Sequence, residues 1–321
     1  MVSTTRSFVA SVAVLASTAL GQNYSATVIY SGSVSWENAV LRPNGQLLMV
    51  SLSEPYVYNL DPSADSPEAV VVATLPGVDS TQGIALVGDD KYAVSAGITG
   101  SNSLYTNETI FTIDMSTASS NGTVEPEFVL MEPSAENFNG LLSLDSDPNV
   151  VLLGDSLLGK VWRVDIASKT ISSPIEDELM AVPVNTTFSP ALGIDGLKLW
   201  TNTTSGQLYL YFTNVAALSL ARVPINANAT AATGPAELVD TFEDPDNWDD
   251  MAIAQSSGLI FGAMNPNYIC MVEIATGAAE VVINDTAISE GPTAVVLKGD
   301  GHTGWAFARG GEVLELELPA Y

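Results

Sequence analysis

Six segments of similar pattern recur along the chain, and the residue that begins each is the first candidate for chemistry. Each segment continues with a small or flexible residue and then an apolar run. The residues that begin the segments are Glu37, Gln82, Asn139, Asp195, Asp250 and Pro292. If they converge, three carboxylates and two amides make an oxygen-rich site suited to Ca²⁺ or another hard cation. The alternative is that these side chains cap strand ends by binding neighbouring backbone groups.

Short β-strands would bring these residues together. In the third segment, residues 138–144, 150–156 and 159–165 form three apolar or alternating runs separated by turn sequences. Strand, turn, strand, turn, strand is the unit of a propeller blade, and six copies at blade-like spacing fill the chain. We therefore predict an all-β, six-bladed β-propeller in which the inner strands place the six residues at one mouth of the central channel.

Ring closure is predicted to involve both ends of this domain. Residues 27–30 form a lone strand before the first repeat, and residues 313–318 form the last strand of the sixth. Propellers commonly complete the last blade with a strand from the N-terminus. We expect the two strands to pair, and residues 22–321 to form one domain. An insertion at 174–193 is long enough to cover the mouth.

A second group of residues is expected at the same mouth. The turn after the second strand of each blade returns there, which places Asn265 and Arg309 beside the ring, with Arg309 as the cation of an acidic site. The aromatics that flank ring positions are predicted to form an apolar wall, the alternative being plain core. The predicted substrate-binding set is Trp36, Gln82, Phe138, Trp248, Asp250 and Asn265.

Composition excludes several classes of function. His302 is the only histidine, so a Ser-His-Asp triad or a His-rich metal site is not expected. The net charge of −27 excludes nucleic acid and anionic membranes as ordinary partners. Cys270 is the single cysteine, which excludes an internal disulfide and predicts a buried, inert thiol. After the N-terminal segment, no apolar run is long enough to span a membrane. Oligomeric state is left open.

The N-terminus predicts entry into the secretory pathway. Arg6, an apolar run at 8–16 and small residues before Gln22 have the pattern of a signal peptide at residues 1–21. Seven Asn-x-Ser/Thr sequons fit a glycosylated, secreted or vesicular protein. The predicted glycosylation sites are Asn23, Asn107, Asn121, Asn185, Asn202, Asn228 and Asn284.

The sequence resembles the SMP-30/gluconolactonase-like six-bladed propellers, and most of all their secreted fungal branch. The resemblance covers essentially the whole chain after residue 21. It is carried by segments at 37–38, 139–141, 154–156, 161–165, 193–196, 249–250 and 291–293. Such motifs are informative about fold and much less so about reaction, because function depends on the pocket.

The resemblance implies two activities. In metal-dependent lactonases of this family, a Glu, an Asn and an Asp at blade starts hold a divalent ion; here they match Glu37, Asn139 and Asp195, with Asp195 assisting proton transfer. A similar fungal sub-branch contains hetero-Diels–Alderases of tropolonic sesquiterpenoid biosynthesis. These join a tropolone quinone methide to a humulene-type alkene and require no cofactor.

The sequence interpretation favours cycloaddition of small apolar substrates, with Asn139, Asp195 and Arg309 as catalytic residues. Orientation in a desolvated pocket and hydrogen bonds to the tropolone oxygens would accelerate that reaction. Lactone hydrolysis with Ca²⁺ or another divalent cation is the alternative. A non-catalytic, small-molecule-binding propeller is the second alternative.

Overall fold

The computed structural model describes residues 15–19, 22–243, 246–284, 291–299 and 301–318. Within these residues the chain is almost entirely β-structure. The only helices described there are two short 3₁₀ helices, Met115–Thr117 and Glu178–Met180. The β-strands form six antiparallel sheets arranged as the blades of a propeller, which confirms the predicted fold class.

The first three blades each contain four strands, ordered along the chain from the channel outwards. Two strands, β1 (Leu15–Ala19) and β2 (Gln22–Ser31), precede them. The strands of these blades are β3 (Asn38–Leu41), β4 (Leu47–Val50), β5 (Tyr56–Leu60), β6 (Val70–Thr74), β7 (Ser80–Gly88), β8 (Lys91–Thr99), β9 (Tyr105–Asp114), β10 (Glu127–Met131), β11 (Phe138–Leu144), β12 (Asp147–Asp155), β13 (Lys160–Asp165) and β14 (Thr170–Glu176).

The fourth and fifth blades repeat this arrangement, and the sixth combines both ends of the chain. The remaining strands are β15 (Ile194–Thr201), β16 (Leu208–Asn214), β17 (Ser219–Ile225), β18 (Glu237–Thr241), β19 (Asn247–Ala254), β20 (Leu259–Asn265), β21 (Tyr268–Glu273), β22 (Ala279–Asn284), β23 (Pro292–Leu297), β24 (Thr303–Ala308) and β25 (Glu312–Glu317).

The ring closes through pairing of β2 with β25. Thr27 lies opposite Glu315 and Val28 opposite Leu314, which confirms the predicted closure by an N-terminal strand. The strand β1 pairs with the outer edge of β2, so the sixth sheet has five strands. It lies within the predicted signal peptide, whose residues 1–14 and 20–21 are outside the described residues. Cleavage before Gln22 stays a prediction, and it would leave four strands in this blade as in the other five.

The core is divided among the interfaces between neighbouring blades. Six clusters of buried apolar side chains each join two adjacent sheets. At the closing interface, Trp305 and Phe307 of the sixth blade share one cluster with Leu47 and Met49 of the first. Inner and middle strands are apolar on both faces because each face meets a neighbouring blade.

The inner strands are irregular where the ring residues lie. The pairing of β7, β11, β15, β19 and β23 with the next strand shifts register close to the ring position. Shifts of this kind re-aim successive side chains. Gly140 has a φ of 55°, and a Cβ there would lie 2.1 Å from the backbone oxygen of Asp195. The inner strands of the third and fourth blades therefore approach closely enough to require glycine.

The surface features bear on the remaining predictions. Asn107, Asn121, Asn185, Asn228 and Asn284 are exposed, so their sequons are accessible, although use of the sites stays a prediction. No helix of the described residues has the length and apolar character needed to cross a membrane.

The single cysteine, Cys270, is buried in a strand, as the sequence predicts. Cys270 is buried within β21, and this burial raises its pKa to about 12. A thiol with so high a pKa forms almost no thiolate at neutral pH, which fits an inert side chain.

Candidate functional site

A cavity of about 260 Å³ opens at one mouth of the central channel. All six blades contribute to its wall. Residues 188–192, from the insertion expected to cover the mouth, contribute as well. The lining residues are Glu37, Leu52, Ser103, Tyr105, Asn137, Asn139, Phe188, Ser189, Pro190, Leu192, Asp195, Val215, Asn247, Asp249, Asn265 and Arg309. We call this space the upper cavity.

Three buried carboxyl groups lie close together in the upper cavity. Glu37, Asp195 and Asp249 are each no more than 4% exposed. Asn139 donates from Nδ2 to Glu37 Oε1 at 3.2 Å, and its Oδ1 accepts from the N–H of Gly140 at 2.7 Å. Asp195 Oδ1 is buried and has no hydrogen-bond partner among the described residues. A buried acceptor without a partner is costly, so this atom is a candidate contact for a water molecule, an ion or a ligand.

Arg309 supplies positive charge to this acidic wall. Its Nη2 lies 2.6 Å from Asp249 Oδ2, and the Arg309 side chain is 46% exposed whereas that of Asp249 is 5% exposed. Among the described residues no other Lys or Arg lines the cavity. The guanidinium therefore neutralises one carboxylate and still presents part of its surface to a ligand.

Burial raises the pKa of each of these three carboxyl groups, and repulsion by neighbouring carboxylates adds to the effect. Burial raises the pKa of Glu37 to about 8, with a further contribution from the charge of Asp249. Burial raises the pKa of Asp249 only to about 6, because the positive charge of Arg309 offsets part of the effect. The pKa of Asp195 is well above its usual range, first through burial and then through Asp249 and Glu37. Three simultaneous negative charges are thus disfavoured without a neutralising partner.

The donor atoms fit a hard divalent cation in kind. Glu37 and Asp195 offer carboxylate oxygens, and Asn139 offers an amide oxygen. The Asn139 Oδ1 already accepts from the Gly140 N–H and keeps a second lone pair, whereas Nδ2 donates to Glu37. No cluster of three or more His, Cys, Asp or Glu in the described ranges is arranged to hold a metal. A cation site here therefore depends on the amide.

Strand capping, the alternative reading of the ring, is also present. The Oδ1 atoms of Asn139 and Asp250 accept from the N–H of the next residue in the chain. Asn38 makes the same contact with the following N–H. Capping of this kind uses one side-chain oxygen and leaves the other polar atom for a second partner.

The structure brings together most of the polar residues predicted for the site. Glu37, Asn139, Asp195, Asn265 and Arg309 all line the upper cavity. Their catalytic, substrate-binding and metal-ligating roles stay predictions.

The predicted aromatic wall is wrong in position. Trp36, Phe138 and Trp248 are fully buried and belong to three different inter-blade clusters. Each packs against another aromatic ring of its own cluster. Trp36 and Phe138 immediately precede ring residues, and successive side chains of extended chain point in opposite directions, so these two rings face between the blades.

Two predicted polar residues also lie away from the upper cavity. Gln82 is buried and donates from Nε2 to Glu108 Oε1 at 3.2 Å. Asp250 accepts from Lys198 Nζ at 2.7 and 2.8 Å and from Asn38 Nδ2 at 3.0 Å. In the fifth blade Asp249, not Asp250, is the residue that faces the upper cavity.

Several lining residues were not predicted from the sequence. The sequence shows an acidic pair at 249–250. Which of the two carboxylates faces the upper cavity depends on the register shift in β19. Tyr105, Asn137 and Asn247 lie outside the repeated positions. No sequence signal marks them, since their place depends on how neighbouring blades pack.

No protein-family model matches the sequence, and no curated protein does. Solved structures with the same fold include sugar dehydrogenases and gluconolactonase-like proteins. At 11–15% identity these similarities establish the six-bladed propeller fold. The PQQ-bound aldose sugar dehydrogenase of Streptomyces coelicolor is 15% identical, with a TM-score of 0.63, over 92% of this chain and 98% of that chain. The calcium-binding protein regucalcin of Agrobacterium tumefaciens is 15% identical, with a TM-score of 0.63, over 91% of this chain and 92% of that chain. A gluconolactonase of Xanthomonas campestris is 11% identical, with a TM-score of 0.64, over 92% of this chain and 90% of that chain.

Proposed function

We propose that this protein is an enzyme that hydrolyses small, oxygen-rich lactones in the upper cavity with the help of a divalent cation. The observation that carries the proposal is the unpartnered, buried Oδ1 of Asp195 beside Glu37 and Asn139. The fold shared with a gluconolactonase adds weaker support. We thereby prefer lactone hydrolysis to the cycloaddition that the sequence interpretation favours.

A cation in this cavity would be held by Glu37, Asn139 and Asp195. When bound, it would act as a Lewis acid on the lactone carbonyl. The chain's own residues must then bind the lactone, exclude bulk water and move the protons of the reaction.

Asp195 is the residue placed to accept a proton. Water attacks the carbonyl carbon, its proton passes to the Asp195 carboxylate, and the ring C–O bond breaks. The departing ring oxygen takes up a proton, so the product is a hydroxy acid. A carboxylate within hydrogen-bonding reach of the attacking water can act as such a general base.

Arg309 is the residue placed to orient the substrate. Its guanidinium is held by Asp249 at 2.6 Å and remains partly exposed in the cavity wall. It can donate to a lactone carbonyl or hydroxyl oxygen. The fixed guanidinium would restrict the ways in which the lactone can lie against Asp195.

Cycloaddition is the second candidate, and the cavity offers it less. Two reactants must lie side by side, yet the volume of about 260 Å³ falls below the roughly 300–1,000 Å³ typical of a pocket for one small ligand. Leu52, Phe188, Leu192 and Val215 give the wall an apolar part, which is the feature that favours this reaction. A propeller that only binds small molecules is the third candidate.

The deciding experiment combines a lactone panel with chelation. The purified full-length chain is treated with a chelator, reloaded with Ca²⁺, Mn²⁺ or Zn²⁺ and assayed for acid release. We expect hydrolysis that requires a cation and falls about 10²–10⁴-fold in Asp195→Asn. The matched control is Asp65→Asn, a substitution at an exposed loop residue, which should retain the wild-type rate.

A parallel incubation with a tropolone quinone-methide precursor and humulene tests cycloaddition. A stereoselective adduct that is insensitive to chelator, with no lactone hydrolysis, would overturn our proposal in favour of the second candidate. Hydrolysis that survives both chelation and Asp195→Asn would also overturn it. The absence of both reactions would leave the binding protein.

A further inference from the structure

A segment between the third and fourth blades, residues 181–192, forms one wall of the upper cavity. It lies between the 3₁₀ helix Glu178–Met180 and β15, contains no strand or helix and has no buried residue. Both of its ends are nevertheless fixed. Asn214 Nδ2 donates to the backbone oxygen of Ala181 at 2.9 Å, and the Ala216 N–H donates to the backbone oxygen of Leu192 at 2.8 Å. This segment, which we call the mouth segment, is therefore held in place without a core of its own.

Phe188 of the mouth segment lies between two spaces. One is the upper cavity, of about 260 Å³, and the other is a surface pocket of about 390 Å³, which we call the side pocket. Phe188 and Ser189 line both spaces. Two consecutive residues beside them divide, since Val215 lines the upper cavity and Ala216 the side pocket. The wall between the two spaces is thus thin, and Phe188 is the larger of the two residues shared by both.

The position of Phe188 is not explained by packing of the core. Its side chain is half-buried, and the six apolar clusters found among the described residues do not include it. A phenylalanine usually contributes a large apolar area to a core, whereas this one lies at the mouth of a polar cavity. Substitution of Phe188 should therefore leave the free energy of unfolding nearly unchanged, and its main effect should be on what the cavity admits.

We propose that Phe188 determines substrate specificity by limiting the size of the lactone that the upper cavity accepts. The inference rests on the lactone hydrolysis proposed above. A volume of about 260 Å³ suits a single lactone ring with short polar substituents. A substituent as large as a phenyl ring collides with Phe188, and without that side chain it can pass into the side pocket. Selection of this kind works through a clash with the larger substrate.

The first test compares δ-gluconolactone with its mono-benzyl ethers. In Phe188→Ala, the ratio of kcat/KM for at least one ether to that for the plain lactone should rise about tenfold or more. Phe188→Trp, which keeps the wall closed, should not raise the ratio for any ether. The matched control is Val184→Ala, in the same segment: Val184 is 89% exposed and lines neither space, so the ratio should stay at the wild-type value.

A second readout requires no catalysis. Val215→Cys places a thiol in the wall of the upper cavity, and the native thiol of Cys270 is buried and unreactive. The rate of labelling by a bulky maleimide, divided by the rate with iodoacetamide, should rise severalfold when Phe188→Ala is added. Adding Val184→Ala instead should leave this labelling ratio unchanged.

The two readouts separate the failure of this inference from the failure of the proposed function. Hydrolysis of the plain lactone with an unchanged size preference in Phe188→Ala would overturn the inference and leave the hydrolysis standing. If no variant hydrolyses any lactone, the proposed function is wrong, and the labelling ratio then decides whether Phe188 limits the size of a ligand in the upper cavity. An unchanged labelling ratio would overturn that limit too.

Discussion

Glu108 offers a quantitative test of the buried polar layer beside the upper cavity. It is fully buried, and its Oε1 accepts from the N–H of Phe138 at 2.8 Å and from Gln82 at 3.2 Å. Its Oε2 has no partner among the described residues. Burial raises its pKa to about 8, so the carboxyl group is mostly neutral at pH 7. Replacing it by glutamine keeps the shape and removes the ionisation.

The sign and size of the effect follow from this pKa. A carboxyl whose pKa rises from 4.5 to about 8 on folding stabilises the fold fully below about pH 4.5. That contribution is lost as the pH rises through 8. At about pH 9 the free energy of unfolding is lower by about 2–5 kcal/mol. The upper value is the full pKa shift of Glu108 converted at about 1.36 kcal/mol per pKa unit.

The assay is urea denaturation of wild type and Glu108→Gln at about pH 5 and about pH 9. We expect the fall in unfolding free energy between the two pH values to be about 2–5 kcal/mol smaller in the variant. Glu125→Gln, at an exposed residue, is the matched control and should behave as wild type does. An equal pH dependence for Glu108→Gln and wild type would refute the claim that this carboxyl is neutral in the fold.

Three further substitutions or truncations test the packing. Lys198→Met should lower the free energy of unfolding by about 3–5 kcal/mol, because it leaves the buried carboxylate of Asp250 unpaired. Gly262→Ala should lower it by about 1–3 kcal/mol, since the new Cβ would lie 1.8 Å from a buried tryptophan ring. Removing residues 1–21 should preserve cooperative unfolding, whereas removing residues 1–31 also deletes β2 and should abolish it. Urea denaturation followed by tryptophan fluorescence measures all three.

Each of these predictions has its own control. Adding Asp250→Asn to the lysine variant should recover part of the lost stability, because the unpaired charge is gone. Gly299→Ala meets no atom within 4 Å and should be close to neutral, in contrast to Gly262→Ala. If removal of residues 1–21 were as damaging as removal of 1–31, the prediction that β2 alone suffices to close the ring would be wrong.

The fold could be predicted from sequence because each blade repeats the same local constraints. The apolar run at 150–153 is buried on both faces, as expected of a strand between two neighbours. The lone strand at 27–30 had one place to pair, the free edge beside 313–318, and it pairs there. A repeated unit makes many weak local signals agree, so the blade count needs no knowledge of side-chain packing.

The site could be predicted only in part, because it depends on single-residue register. Asp249 and Asp250 are adjacent and chemically equivalent in the sequence, yet the irregular pairing at 248–251 turns Asp249 to the upper cavity and Asp250 to Lys198. Trp36 and Phe138 adjoin ring residues in sequence and point between the blades instead. A shift of one residue changes which side a side chain faces, and the sequence pattern does not resolve such a shift.

One layer of polar side chains fixes the strands that carry the acidic residues of the upper cavity. Glu37 faces the upper cavity, and the next residue, Asn38, donates to Asp250. In the same way Asp249 faces the upper cavity, whereas its neighbour Asp250 binds Lys198. The acidic residues of the upper cavity therefore lie on strands whose neighbouring positions are fixed by these contacts. We therefore expect loss of the Asp250 network to disturb the upper cavity as well as to lower the stability of the fold.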